Sequence, residues 1–171
     1  PVNPYDVFKC DVPNLSTLLY FVVNDTFYDK ALPKALLPEG VYVGGLKAFA
    51  ERYPELASRY YGQAASVEKD GLIALNTMLA QDGFVVYVPK GVVVERPIQL
   101  VNISRSDVDT MSNRRVLLIA EPQAQVKLLV CDHNIDDVKF LSTEVIEIFA
   151  EEGSVVDYYD LEESSASTTR F

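Results

Sequence analysis

The sequence predicts a mainly β chain: a parallel β-helix preceded by a small α/β segment. Three observations predict it. Strand-length apolar runs recur from Phe84 to Leu161, with turn residues between them. Three of these runs align with one another without gaps, at an interval of roughly thirty residues, in the range of solenoid repeats. Helical periodicity is confined to the stretch before Gly83.

Taken in order, residues 1–13 are proline-rich and irregular. Leu18 to Val23 is a β-branched and aromatic run closed by Asn24-Asp25, a strand entering a turn, with Thr26-Phe27-Tyr28 as its returning partner. Residues 31–39 read as loop. Gly40 to Val43 reads as a short strand. Leu46, Phe49, Ala50 and Tyr53 form the stripe of an amphipathic helix. Pro54 opens a second helix, with Leu56 and Tyr60 facing inward and a stop at Gly62. Asp70 is the N-cap of a third, whose inward face is Leu72, Leu75, Met78 and Leu79 and whose end is Gly83. Residues 1–83 are thus expected to lead into a β unit at 84–171, with strands at Phe84–Val88, Val92–Val94, Ile98–Ile103, Val116–Ala120, Val126–Cys131, Val138–Phe149 and Val155–Leu161.

The repeat carries most of the prediction. Residues 84–94, 116–126 and 146–156 each hold a strand, a small residue (Val88, Ala120, Ala150), a polar turn and a closing valine (Val94, Val126, Val156). Gly91 and Gly153 share one turn position, with Gln123 in the middle copy; a glycine there suits a left-handed backbone. Stacked coils of this kind bury one another's apolar faces. The polar stretches around Ser104–Arg114 and Asp132–Asp137 are expected to bulge from the corners.

Composition narrows the function classes. Of 171 residues, 49 % are hydrophobic, and the formal net charge is −10. That field repels a phosphate backbone, so nucleic acid is not an expected partner. No apolar run approaches the length of a membrane span, and no secretory signal is visible. The chain opens on Pro1, from which an upstream segment is expected. The two cysteines, Cys10 and Cys131, make no disulfide framework and suit a reducing, cytoplasmic compartment.

The common nucleotide, acyl-transfer and zinc motifs are absent, and Gly44-Gly45 reads as a turn. No catalytic residue is assigned. Cys131 and His133, at i and i+2 on a strand, share a face and are the candidate metal ligands. Cys10 reads as a small buried hydrophobe. Because parallel β-helices include polysaccharide-cleaving enzymes, Glu121, Glu151, Glu152 and Asp157 are the carboxylates to test for convergence on a groove; the plain reading is a solvated corner. The Asn-x-Ser/Thr matches at Asn14, Asn24 and Asn102 carry no weight without a secretion signal.

Gly40-Val41-Tyr42-Val43, Tyr53-Pro54-Glu55-Leu56 and Tyr61-Gly62 resemble the opening of the SufB/SufD family of iron–sulfur cluster assembly proteins. Ala74-Leu75-Asn76-Thr77 followed by Asp82-Gly83-Phe84 through Val88-Pro89-Lys90-Gly91-Val92 is similar to that family's most recognisable block. Pro97-Ile98-Gln99-Leu100 and residues 150–159 look like its SufD branch. The resemblance covers essentially the whole chain. It implies a right-handed parallel β-helix core and a non-enzymatic scaffold that works with SufB and the SufC ATPase. It also implies that the histidine credited with cluster formation and the SufC-docking helices belong to a part beyond Phe171. No cofactor is therefore expected in this chain; an iron–sulfur cluster is possible only in the full complex. The remaining alternatives are a polysaccharide-acting β-helix and a self-associating structural solenoid. A stack ending after three coils leaves open strand edges, so self-association of the chain is expected.

Overall fold

The computed structural model describes residues 16–31 and 37–171. Strands β1 (Leu18–Val23) and β2 (Thr26–Phe27) form the expected hairpin, with Asn24 at φ 57° in its turn. A single 3-10 turn, Asp29–Ala31, follows. Next come β3 (Tyr42–Gly45) and helices α1 (Leu46–Arg52), α2 (Pro54–Tyr60) and α3 (Gly71–Leu79). The rest is strand: β4 (Phe84–Val88), β5 (Ile98–Ser104), β6 (Thr110–Ala120), β7 (Gln125–Asn134), β8 (Phe140–Ala150), β9 (Val155–Glu163) and β10 (Thr168–Arg170).

The chain is mainly β, with two five-stranded mixed sheets in the orders β2-β1-β5-β7-β9 and β10-β8-β6-β4-β3. From β4 onward, successive strands alternate between the sheets. Among the described residues only β2 on β1 and β3 on β4 pair antiparallel; the other ladders are parallel. Phe84 lies opposite Val116, and Val116 opposite Ile146, so the aligned repeats meet residue for residue. In the other sheet Ile98, Leu128 and Tyr158 stack in the same way. The first repeat is longer because Val93 faces Gln125 whereas Ile98 faces Leu128; the surplus lies around Glu95-Arg96.

Gly91, Gln123 and Gly153 all have positive φ, at 72°, 64° and 68°. Their turns are chained: Gly91 N donates to Pro122 O and Gln123 N to Glu152 O, each at 2.9 Å. A turn that deviated would break both bonds, so Gln123 is held in a region that costs a side-chain-bearing residue about 1 kcal/mol.

Between the sheets lies an apolar core built from alternate positions, including Val86, Val88, Leu100, Leu118, Leu128 and Val130. Outside β4 and β6, helices α1 and α2 bury Phe49, Ala57 and Tyr60 against Val85, Leu117 and Ile119. Outside β1 and β5, Phe21, Val101 and Ile103 form a third cluster.

Gly44-Gly45, expected as a turn, instead end strand β3 and pair with β4. Four further expectations change. Helix α3 is capped by Asp70, which accepts from Leu72 N at 2.7 Å, but its inward residue is Asn76. Leu72, Met78 and Leu79 face outward, with Met78 73 % exposed. The surface beneath α3 is polar, so a polar side chain is what fits it. Second, α3 ends at Leu79, before Gly83. Gly83 is needed for another reason: a Cβ there would stand 2.7 Å from Arg115 O. Third, Val92–Val94 makes only an isolated bridge at Val93. Fourth, the supposed bulges are largely strand. Thr110–Arg114 extends β6 and Asp132–Asn134 extends β7, with Ser112, Asn113, Arg114 and Asp132 buried. Residues 1–15 and 32–36, with Cys10, Asn14 and most of the 31–39 loop, lie outside the described residues.

Candidate functional site: two buried arginine clusters

Cys131 and His133 sit where the sequence placed them, on one face of β7. Cys131 is buried and accepts from Gln99 Nε2 at 3.6 Å. His133 Nδ1 lies 3.5 Å from a Glu163 oxygen. Among the described residues no group of three His, Cys, Asp or Glu stands close enough to hold a metal ion. The pair thus supplies two donors and no completed ligand set.

Three of the corner carboxylates make contacts within the chain. Glu151 accepts from Tyr60 Oη at 2.9 Å, and Glu121 accepts from Lys90 N at 3.0 Å. Asp157 pairs with Lys127 on the other sheet, at 3.6 Å. Burial, then the hydrogen bond to Glu121, raises the Tyr87 hydroxyl to about 12. These acids tie the helical layer and the coil corners together.

The buried chemistry lies instead on β6, where Arg114 and Arg115 point to opposite faces. Arg115 faces the helices. Its guanidinium donates to Glu147 at 2.8 Å and to Thr77 Oγ1 at 3.0 Å, and stacks 4.5 Å from the Tyr61 ring centroid. Glu147, on β8, also accepts from Gly62 N at 2.9 Å, Ala64 N at 3.0 Å and Ala65 N at 3.1 Å. Both side chains are only 2 % exposed. Asn76 completes the cluster by donating to Arg114 O at 3.0 Å and Thr143 Oγ1 at 2.9 Å. Nearby, Asp82 accepts from Phe27 N at 3.1 Å and Lys47 N at 2.9 Å, joining the β1–β2 hairpin to the start of α1.

Arg114 faces the interior between the sheets. It pairs with Asp132 and donates to Ser104 Oγ at 2.7 Å and Asn24 O at 3.0 Å. Arg170, on β10, pairs with Glu144, with Asp132 at 2.7 Å, and with Asp160 at 3.5 Å. Two arginines therefore bind carboxylates from both sheets and several coils. Burial raises the Glu144 pKa, helped by Asp132 and opposed by Arg170 and Arg114. Asp160 is raised mainly by burial, against the pull of Arg170. Burial works against the Arg170 charge, but Glu144, Asp132 and Asp160 outweigh it and raise its pKa. With these carboxylates engaged by arginines, the arrangement acts as an electrostatic staple between the sheets.

The sequence reading missed Arg114, Arg115, Glu147 and Arg170. One signal was available. Extending the aligned repeat two residues toward the N-terminus sets Arg114 opposite Glu144, as the ladder does.

Comparison with known proteins fits this geometry. Residues 1–100 match the model of the SufBD protein N-terminal region, and residues 102–171 match that of the SUF system FeS cluster assembly SufBD core domain. The chain belongs to the SufBD family. It is 31 % identical over 117 residues, 68 % of its length, to the iron–sulfur cluster assembly protein SufD of Bacillus subtilis (strain 168), and covers 26 % of that protein. Against the SufBD family protein slr0074 of Synechocystis it is 29 % identical over 138 residues, covering 80 % of this chain and 27 % of the relative. Against the SufBD family protein ABCI9 of Arabidopsis thaliana it is 27 % identical over 120 residues, 70 % of this chain and 26 % of the relative. The chain thus spans about a quarter of the length of these SufBD relatives. No helix among the described residues is long and apolar enough to cross a membrane.

Proposed function

We propose that this chain is part of a scaffold subunit for iron–sulfur cluster assembly, not itself an enzyme, acting in the cytoplasm with SufB and the SufC ATPase. The observation that carries the reading is the use made of the signature block. Asn76 and Asp82 make fold-holding hydrogen bonds, and Gly83 admits the β6 backbone. The block builds a rigid platform, as a partner-binding scaffold requires. We read the two sheets, linked strand by strand at a 30-residue register, as the first coils of a right-handed parallel β-helix. Parallel crossovers favour that hand. The nascent cluster is cargo of the whole assembly.

The test is co-purification of the full-length protein with SufB and SufC. Recovery of all three together is the expected result. A protein that ignored both and cleaved an acidic polysaccharide would sink the scaffold reading. Anaerobic reconstitution of the present chain with iron and sulfide, beside Cys131→Ala, separates the cargo question. The two are expected to give the same absorbance spectrum. A cluster band lost in the variant would make Cys131 a ligand.

A further inference from the structure

We propose that the α2–α3 connection is a carboxylate-binding nest whose built-in ligand is Glu147, and that it takes free acetate when the Glu147 side chain is cut back to alanine. The backbone N–H groups of Ala64 and Ala65 donate to Glu147 Oε1 at 3.0 and 3.1 Å. Gly62 N and Arg115 Nη2 donate to Oε2 at 2.9 and 2.8 Å. Each oxygen thus accepts two hydrogen bonds, which fills the roughly four acceptor positions of a carboxylate. Backbone N–H groups that converge from a turn form a concavity suited to an anion. The Tyr61 ring, its centroid 4.5 Å from the Arg115 guanidinium carbon, walls one side.

Little else shapes the connection. Among the described residues, the N–H groups of Gly62, Ala64 and Ala65 meet no backbone acceptor, and the one backbone bond donated from within 62–65 is Gln63 N to Tyr60 O at 3.2 Å. Gly62-Gln63-Ala64-Ala65-Ser66 carries no large apolar side chain to bury. Helices α1 and α2 differ, because Phe49, Ala57 and Tyr60 seat them on Val85, Leu117 and Ile119. A Cβ on Gly62 would meet nothing within 4 Å, so the glycine serves its φ of 74° rather than a tight space. That conformation turns the chain out of α2 and toward β8. The carboxylate it meets there lies 82 to 85 residues further along the sequence. The connection therefore takes its shape from an anion supplied by the third repeat.

The geometry also selects the ligand class. Arg115 is 2 % exposed, so an empty nest leaves a buried guanidinium and three N–H donors unpaired, which is costly. Cutting Glu147 back to alanine removes Cγ, Cδ and both oxygens, which are the heavy atoms of acetate. Acetate can therefore restore every hydrogen bond of the nest, including the charge-assisted one from Arg115. Chloride offers a single acceptor centre where the nest needs two. Sulfate brings four oxygens into a space shaped to one planar carboxylate.

Amide hydrogen exchange tests the proposal, with circular dichroism checking that Glu147→Ala is folded. In chloride the amides of Gly62, Ala64 and Ala65 should exchange at least about tenfold faster in Glu147→Ala than in the parent chain, while those of Val86 and Leu118 in the coils change much less. Acetate should then restore protection as 1 + [acetate]/Kd, by at least about threefold at about 0.3 M, and sodium chloride at the same ionic strength should not. The parent should not respond to acetate, because Glu147 fills its nest. Equal exchange in variant and parent would overturn the proposal, as would equal effects of acetate and chloride on the variant. If alanine at 147 prevents folding, the parent chain decides. Its three amides close on one side chain, so they should share one protection factor within about threefold. Three unrelated protection factors would sink the idea. Co-purification with SufB and SufC reads partners of the full-length protein, and its outcome is separate.

Discussion

Replacing Glu147 with glutamine changes one charge and almost no volume. The carboxylate accepts four hydrogen bonds, three from backbone N–H groups at Gly62, Ala64 and Ala65 and one from Arg115. An amide has one accepting oxygen. Whichever way it turns, its NH2 meets donors. Arg115, only 2 % exposed, is left without its counter-ion. Breaking a buried pair from one side costs about 3–5 kcal/mol. Here Tyr61, Thr77 and Asn76 still contact the guanidinium, which puts the loss near the lower bound, about 3 kcal/mol. For a chain of this size that lowers Tm by about 6–12 °C. The assay is thermal and urea unfolding followed by circular dichroism, with Arg115→Met and the double variant completing a cycle. The double variant should lose less than the sum of the singles by at least about 1 kcal/mol. A loss below about 1 kcal/mol for Glu147→Gln with additive singles would refute the buried-pair argument.

Two more perturbations probe the same frame, alongside the acetate and co-purification tests above. Gly83→Ala drives a Cβ to 2.7 Å from Arg115 O and 2.9 Å from Arg115 Cβ. It should cost about 1–3 kcal/mol of overpacking, read from the urea midpoint. Glu144→Gln tests the interior cluster by pH. A carboxyl with a raised folded pKa binds its proton more tightly when folded, so its contribution is fully present below the unfolded value and is lost as pH rises from about 4.5. The unfolding free energy of the parent chain minus that of Glu144→Gln should therefore fall between pH 4 and 7. A rise across that window contradicts the assignment.

The apolar half of the fold was legible in the sequence, because each repeat puts a run of Val, Leu and Ile between turn residues. Gln123 in a left-handed turn could be read from its two glycine equivalents. The polar half was not legible, since Thr110–Arg115 looks like loop by every periodicity rule. Parallel stacking changes that rule. Equivalent side chains one coil apart pair with each other, as Ser112 does with Ser142 at 3.3 Å and Thr143 with Asn113 at 2.8 Å. The repeat thereby satisfies its own buried polar groups. Helix α3 was turned the wrong way for a related reason. Amphipathic periodicity assumes an apolar floor, and the floor under α3 is Arg114, Thr143 and Arg115. Cys131 and His133 were legible as neighbours, but spacing along one strand could not reveal whether other strands supplied further donors.

The placement of β1 has a consequence for how the chain assembles. Its ladder partner is β5, with Leu18 against Ile98, whereas the later ladders join residues about 30 apart. Closing the longer loop costs only about 0.9 kcal/mol more in chain entropy. Its kinetic effect is larger, because distant pairings form after near ones. Coils from β4 onward can grow by adding neighbours, while β1 must wait until β5 is in place and the helical layer has folded between them. The first strand among the described residues is therefore among the last to join the sheet. The hairpin that closes the stack is also a natural unit for local opening, independent of the coils it covers.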